Sequence, residues 1–151
     1  MKKTLFGLFI ALLVLGFDDA NAHCQVPCGI YDDHLRIHMM EENILLIEKA
    51  MNEINTLSKG KDKNMNQLVR FVNEKEKHAQ GIQDIATQYF LTQRIQSNWS
   101  EAQVNESLKL VHALVQGAMK AKQTTELVHV DALRKTLKSF EKLYFEITAK
   151  K

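Results

Sequence analysis

The spacing of apolar residues constrains this chain more than any other feature. Ile37, Met40, Ile44, Ile47, Met51 and Ile54 follow one another at intervals of three, four, three, four and three. That rhythm gathers them on one stripe of a helix and would scatter them over both faces of a strand. A second stripe runs through Leu68, Val72, Ala79, Ile82, Ala86 and Tyr89, is interrupted by Lys75, and predicts a helix continuing to about Ile95. Gly81 lies inside it and is expected to weaken its regularity. A third stripe carries Val104, Leu108, Val111, Val115 and Ala118, and a fourth carries Leu133, Leu137, Phe140, Tyr144 and Ile147.

Start and stop signals fit these stripes. Asp32 or Asp33 is placed to cap the first helix, Ser100 the third, and Thr124 or Thr125 the fourth. The polar run from Ser58 through Lys59, Gly60, Lys61, Asp62, Lys63 and Asn64 ends the first helix. One proline and 6 glycines in 151 residues leave too few turn formers for the corners of an all-β sandwich or barrel. The expectation is an all-α fold, an up-down-up-down four-helix bundle over residues 32–151. Each large side chain buried in it contributes ~1.5–3 kcal/mol, largely offset by chain entropy, so a domain of this size does not need a disulfide. The 20 basic and 18 acidic residues give a formal charge of +2. That near balance argues against a nucleic-acid partner, which would call for a large basic surface.

The first 22 residues read differently. Lys2 and Lys3 precede an apolar stretch from Leu5 to Phe17, and Ala20, Asn21 and Ala22 form a small-x-small site. This is the layout of a cleaved secretory signal peptide. The apolar run falls short of the ~20 residues that a spanning helix needs, which disfavours a retained anchor. Export to the periplasm or the extracellular space is expected, with no membrane attachment once the signal is gone. Cleavage after Ala22 leaves the formal charge at +2, because Lys2, Lys3, Asp18 and Asp19 leave together. It also makes His23 the first residue and turns its backbone nitrogen from an amide into a free amine.

The new terminus reads His23, Cys24, Gln25, Val26, Pro27, Cys28, Gly29, Ile30, Tyr31 and holds both cysteines and the one proline of the chain. Two chemistries compete for it. In an exported protein two cysteines suggest a disulfide, although a ring closed over so few residues adds little stability. Alternatively the two thiolates, the free amine, the Cys24 amide nitrogen once deprotonated and the His23 imidazole lie within reach of one ion. Two nitrogens and two sulfurs in a plane with an imidazole above suit Ni(II) or Cu(II), whereas zinc prefers a tetrahedron. Anionic thiolate and amidate donors also favour a higher oxidation state, so this set implies redox chemistry.

His-Cys-x-x-Pro-Cys-Gly-x-Tyr resembles the metal-binding hook of the nickel-containing superoxide dismutases, and His23, Cys24, Pro27, Cys28, Gly29 and Tyr31 match it position by position. The resemblance implies a nickel-binding hook over residues 23–31. In it His23 supplies the amine and the axial imidazole, Cys24 a thiolate and its amide nitrogen, and Cys28 the second thiolate. Pro27 and Gly29 would shape the hook, and Tyr31 would stand over the open face of the metal and limit what approaches. It further implies one nickel ion per subunit, a Ni(III)/Ni(II) cycle that converts superoxide to dioxygen and hydrogen peroxide, and a homohexamer in which neighbours help hold each hook. Beyond the hook, Arg36-Ile37, Tyr89-Phe90 and the aromatic segment at Leu143, Tyr144 and Phe145 match only as fragments. Gln25 stands where many members carry an acid, and His38 where the family has a glutamate that holds the axial imidazole. By the same resemblance His78 is a candidate for the basic residue that completes that network.

Other readings remain open on sequence grounds. A non-enzymatic exported bundle with a Cys24–Cys28 disulfide, or a metal-storing bundle without turnover, would use the same residues. His34 and His38 are four apart on one helix and lack an evident third ligand, so they are expected at the surface or behind the ligands. Glu126 and His129 form a single Glu-x-x-His, whereas a di-iron bundle needs two. His112 carries no reading beyond an ordinary helix histidine. Met, Phe and Tyr on the stripes are expected to be core.

Overall fold

The computed structural model describes residues 26–60 and 64–149. Asp32 begins the first helix: its Oδ1 accepts the Leu35 amide at 2.9 Å, and α1 runs Asp33–Lys59. Its stripe is buried from Ile37 to Ile54 as the spacing requires. Asn64 caps the second helix by accepting the Gln67 amide, and α2 runs Met65–Asp84. The coil then widens without a break into a π-helix, Ile85–Arg94. Gly81 is therefore passed in regular α geometry, and the irregularity starts four residues later. Ser100 and Gln103 form a reciprocal capping box at the start of α3, Glu101–Gln123. The last helix, α4, runs Val128–Thr148.

The start of α4 corrects the cap expected at Thr124 or Thr125. Thr124 Oγ1 accepts the Glu126 amide two residues on, and the Thr125 carbonyl accepts from Asn55 Nδ2 of α1. Both threonines thus shape and pin the connection, and the helix begins later, with no side-chain cap on Leu127.

Among the described residues there are four helices and no strand. Each helix packs on its sequence neighbours, and α1 also packs on α4. Cross-helix pairs run in opposite senses: Asn43 with His78 and Asp33 with Arg94 between α1 and the second helix, Lys75 with Ala121 and Gln83 with Val115 between the second and third. Glu48 with Arg134 and Asp33 with Tyr144 do the same for α1 and α4. Successive helices therefore alternate in direction, as a bundle with short connections requires. The core is closed at one end by aromatics, with Phe90 set edge-on to Tyr89, Phe140 and Tyr144 at centroid distances of 5.0, 4.9 and 5.2 Å. Trp99, in the connection between the π-helix and α3, is buried at 7% exposure and joins this cluster. Two stripe positions, Val72 and Leu108, are instead exposed, and Leu114 and Val130 fill the core.

Lys75 interrupts the second stripe in sequence but not in space. It is 4% exposed, and its ammonium donates to the carbonyls of Ala121 and Lys122 and pairs with Glu76. A buried cation thus satisfies the orphan carbonyls at the C-terminal end of α3, where the helix dipole favours positive charge. Gly117 sets how closely α3 and α4 approach, since a β-carbon there would lie 2.8 Å from Leu133 Cδ2.

Candidate metal centre

Of the expected ligands, Cys28 lies within the described residues, whereas His23, Cys24 and Gln25 lie outside them, as does the whole of 1–22. The described part of the hook is a turn. The Ile30 amide donates to the Pro27 carbonyl at 3.2 Å, and Gly29 occupies the third turn position with φ +80, the left-handed conformation that a type II turn demands there. Cys28 stands exposed on this turn, open to an ion from solvent, and its soft sulfur suits nickel. An added β-carbon at Gly29 would meet nothing within 4 Å. Gly29→Ala is accordingly expected to leave the bundle's melting temperature unchanged. It should cost the turn ~1–2 kcal/mol of conformational strain and, on the expectation that Cys28 is a metal ligand, weaken metal retention about tenfold, as measured by dialysis against a chelator.

The turn rests on the junction of α1 with the π-helix. Val26 and Pro27 line a cleft of about 180 Å³ with Arg36, Asp84, Ile85, Gln88 and Tyr89. Tyr31, the last hook residue, sets its ring edge-on to Tyr89 at 5.9 Å and lies over the guanidinium of Arg94 at 4.3 Å. A second guanidinium, that of Arg36, sits 5.1 Å from the centroid of Tyr89.

Beneath Tyr31 the carboxylate of Asp33 collects four donor contacts. Its Oδ1 accepts from Tyr89 Oη at 2.6 Å and Arg94 Nε at 2.8 Å. Its Oδ2 accepts from Arg94 Nη2 at 2.6 Å and Tyr144 Oη at 2.8 Å. Burial would push this carboxyl up, but the hydrogen bonds from Arg94, Tyr89 and Tyr144 outweigh it and hold it below the usual carboxylate range. Burial and the Asp33 acceptor drive both tyrosines well above the ordinary phenol value. The hydrogen bond to Asp33 pushes Arg94 up, so the pair stays ionised. The π-helix makes the cluster possible. Its i to i+5 bonds, such as the Ile95 amide to the Phe90 carbonyl, align residues five apart, and Tyr89 and Arg94 therefore reach the same carboxylate.

The histidines are dispersed. His34 stacks on Phe145 at 4.0 Å. His38 is exposed, with Nδ1 3.5 Å from Glu41. His78 is bracketed by Asn43 at 2.7 Å and Glu74 at 3.2 Å. Among the described residues no group of three or more His, Cys, Asp or Glu is placed to hold a metal ion, and no helix is long and apolar enough to cross a membrane. Sequence reasoning missed Arg94 altogether and saw Asp33 only as an alternative cap. No local pattern marks two residues 61 positions apart as partners.

The family model of nickel-containing superoxide dismutase matches residues 18–148, which takes in the hook motif and all four helices. This chain belongs to the nickel-containing superoxide dismutase family. Comparison with curated proteins and with solved structures returned no match. A nickel superoxide dismutase is an oxidoreductase, with nickel as its cofactor and superoxide as its substrate. The turn at Pro27–Ile30 and the Tyr31 ring fall within the residues matched by the nickel superoxide dismutase family model.

Proposed function

We propose that the chain is exported, loses residues 1–22, and works as a superoxide dismutase whose nickel site is the mature N-terminus, residues 23–31, ahead of the bundle of 32–151. The site would hold one nickel ion per subunit through the His23 amine and imidazole, the Cys24 thiolate and amide nitrogen, and the Cys28 thiolate. Nickel bound there supplies a one-electron Ni(III)/Ni(II) couple. The final compartment would be periplasmic or extracellular, and the assembly a homohexamer.

The observation that carries this reading is the family match over 18–148, which includes the Cys24–Cys28 segment. The chain's own residues support it. Pro27 and Gly29 fold the segment back so that Cys28 is presented to solvent. Tyr31 is held against the bundle by Tyr89 and Arg94, and in the proposed site it would restrict the opening to small molecules. A diatomic anion offers few contacts, so selectivity rests on the size of that opening and rate on fast approach. The Tyr31 hydroxyl, three residues beyond Cys28, is a protic group near the site, alongside backbone amides and water. Gln25 places a neutral amide rather than an acid in the hook, and His38 would serve behind the axial imidazole.

N-terminal sequencing of the mature protein, combined with elemental analysis, tests the reading. Histidine as the first residue and about one nickel per chain are expected. A different first residue on an active protein would overturn it. A mass two hydrogens lower without reductant and no nickel would favour the disulfide-bonded, non-enzymatic alternative.

A further inference from the structure

We propose that Arg94 is a positioning residue for Tyr31, fixing the angle at which the phenol ring covers the hook. The inference rests on the reading of the hook just given and extends it to a side chain that no motif includes. Three observations carry it. First, Tyr31 is the one tyrosine of the three in the chain that is substantially exposed, at 38% against 4% for Tyr89 and 0% for Tyr144, so burial alone does not hold it. Second, the faces that do meet its ring are the edge of Tyr89 at 5.9 Å and the guanidinium of Arg94 at 4.3 Å. Third, the guanidinium is itself immobilised from behind. Its Nε and Nη2 fork onto the two oxygens of Asp33, its Nε also reaches the Tyr144 hydroxyl at 3.0 Å, and its side chain is 17% exposed. A planar group clamped by a two-pronged carboxylate contact presents a fixed flat face, and a cation over an aromatic ring is attractive.

The chemistry distinguishes arginine from lysine at this position. An ammonium keeps the charge and a contact with Asp33, but it is a compact point charge with no face to lay under a ring. Arg94→Lys is therefore expected to release Tyr31 without unpairing Asp33. Because the other two tyrosines are buried, nitration by tetranitromethane, read by mass spectrometry of the Tyr31 peptide, reports on this ring. The expected result in Arg94→Lys is a rise of about tenfold in the Tyr31 nitration rate, with Tyr89 and Tyr144 unreacted and a several-fold change in superoxide turnover at unchanged nickel content. Nitration of Tyr31 at the wild-type rate would overturn the proposal. Should all three tyrosines react together because the lysine variant has loosened, the double variant Asp33→Asn, Arg94→Gln decides by the same readout, since it removes both charges and leaves no buried ion alone. Tyr31→Ala separates the two layers, because it removes the ring. Full turnover in that variant, with faster Tyr31 nitration in Arg94→Lys, would reject Tyr31 as the guard of the site and leave the positioning by Arg94 standing.

Discussion

Adding a single residue ahead of His23 in the mature protein is expected to reduce superoxide turnover to that of a nickel-free blank, a loss of about a hundredfold or more, while the melting temperature stays within about a degree. The proposed site needs a nitrogen lone pair that exists only when His23 is first. An acylated nitrogen is not basic, and no rearrangement of side chains replaces it. The bundle has no stake in the change, because its first cap is Asp32 and its core begins at Ile37. Nickel per chain by elemental analysis and decay of a superoxide pulse measure the two halves of the prediction. Wild-type turnover in the extended protein would reject amine ligation.

The second large effect is on stability. Asp33→Ala removes the acceptor for Tyr89, Tyr144 and both prongs of Arg94. It leaves a largely buried guanidinium without its counter-ion, which typically costs 3–5 kcal/mol. For a domain of this size that corresponds to a fall of about 10 °C or more in the thermal midpoint. The pH dependence follows from the direction of the shifts. Asp33 titrates lower in the folded protein than in the unfolded chain, so its stabilisation is complete above the ordinary carboxylate value of ~4. It is lost as the pH falls through the lowered native value. Tyr89 and Tyr144 titrate higher when folded. Their contribution is complete below ~10 and drains away as the pH rises beyond that. Urea unfolding of wild type and Asp33→Asn across the acid range should show a shallower acid limb in the variant. Parallel curves would assign the acid sensitivity to other carboxylates.

Much of this architecture is legible in the sequence because it depends on local rules. The stripe from Ile37 to Ile54, a cap at Asp32 or Asp33 and the Ser100 cap each follow from residues within a turn or two of one another, and the structure has the stripe buried, Asp32 as the first cap and Ser100 as the third helix's cap. The features that escaped depend on distant partners. Lys75 looks like a break in a stripe until Ala121 and Lys122 offer it carbonyls from another helix. Thr124 and Thr125 look like caps until Asn55 claims one of them. Nothing in the residues 85–94 distinguishes a wide coil from an ordinary one, and the carboxylate that Tyr89 and Arg94 share lies on a different helix. The hook is the reverse case. Its chemistry is written in consecutive residues, of which Pro27, Cys28, Gly29 and Tyr31 fall among those described.

The stretch Ile85–Arg94 also has a consequence for how the chain tolerates editing. Deleting one residue within it would let the backbone relax to common α pitch, a gain for the segment taken alone. Made between Tyr89 and Arg94, the same deletion leaves the two residues four apart, the spacing that shares one face of an α-helix, so both can still meet Asp33. The wide coil and its extra residue therefore come as a pair: losing one without the other would part Arg94 from its carboxylate, and losing both would keep them together.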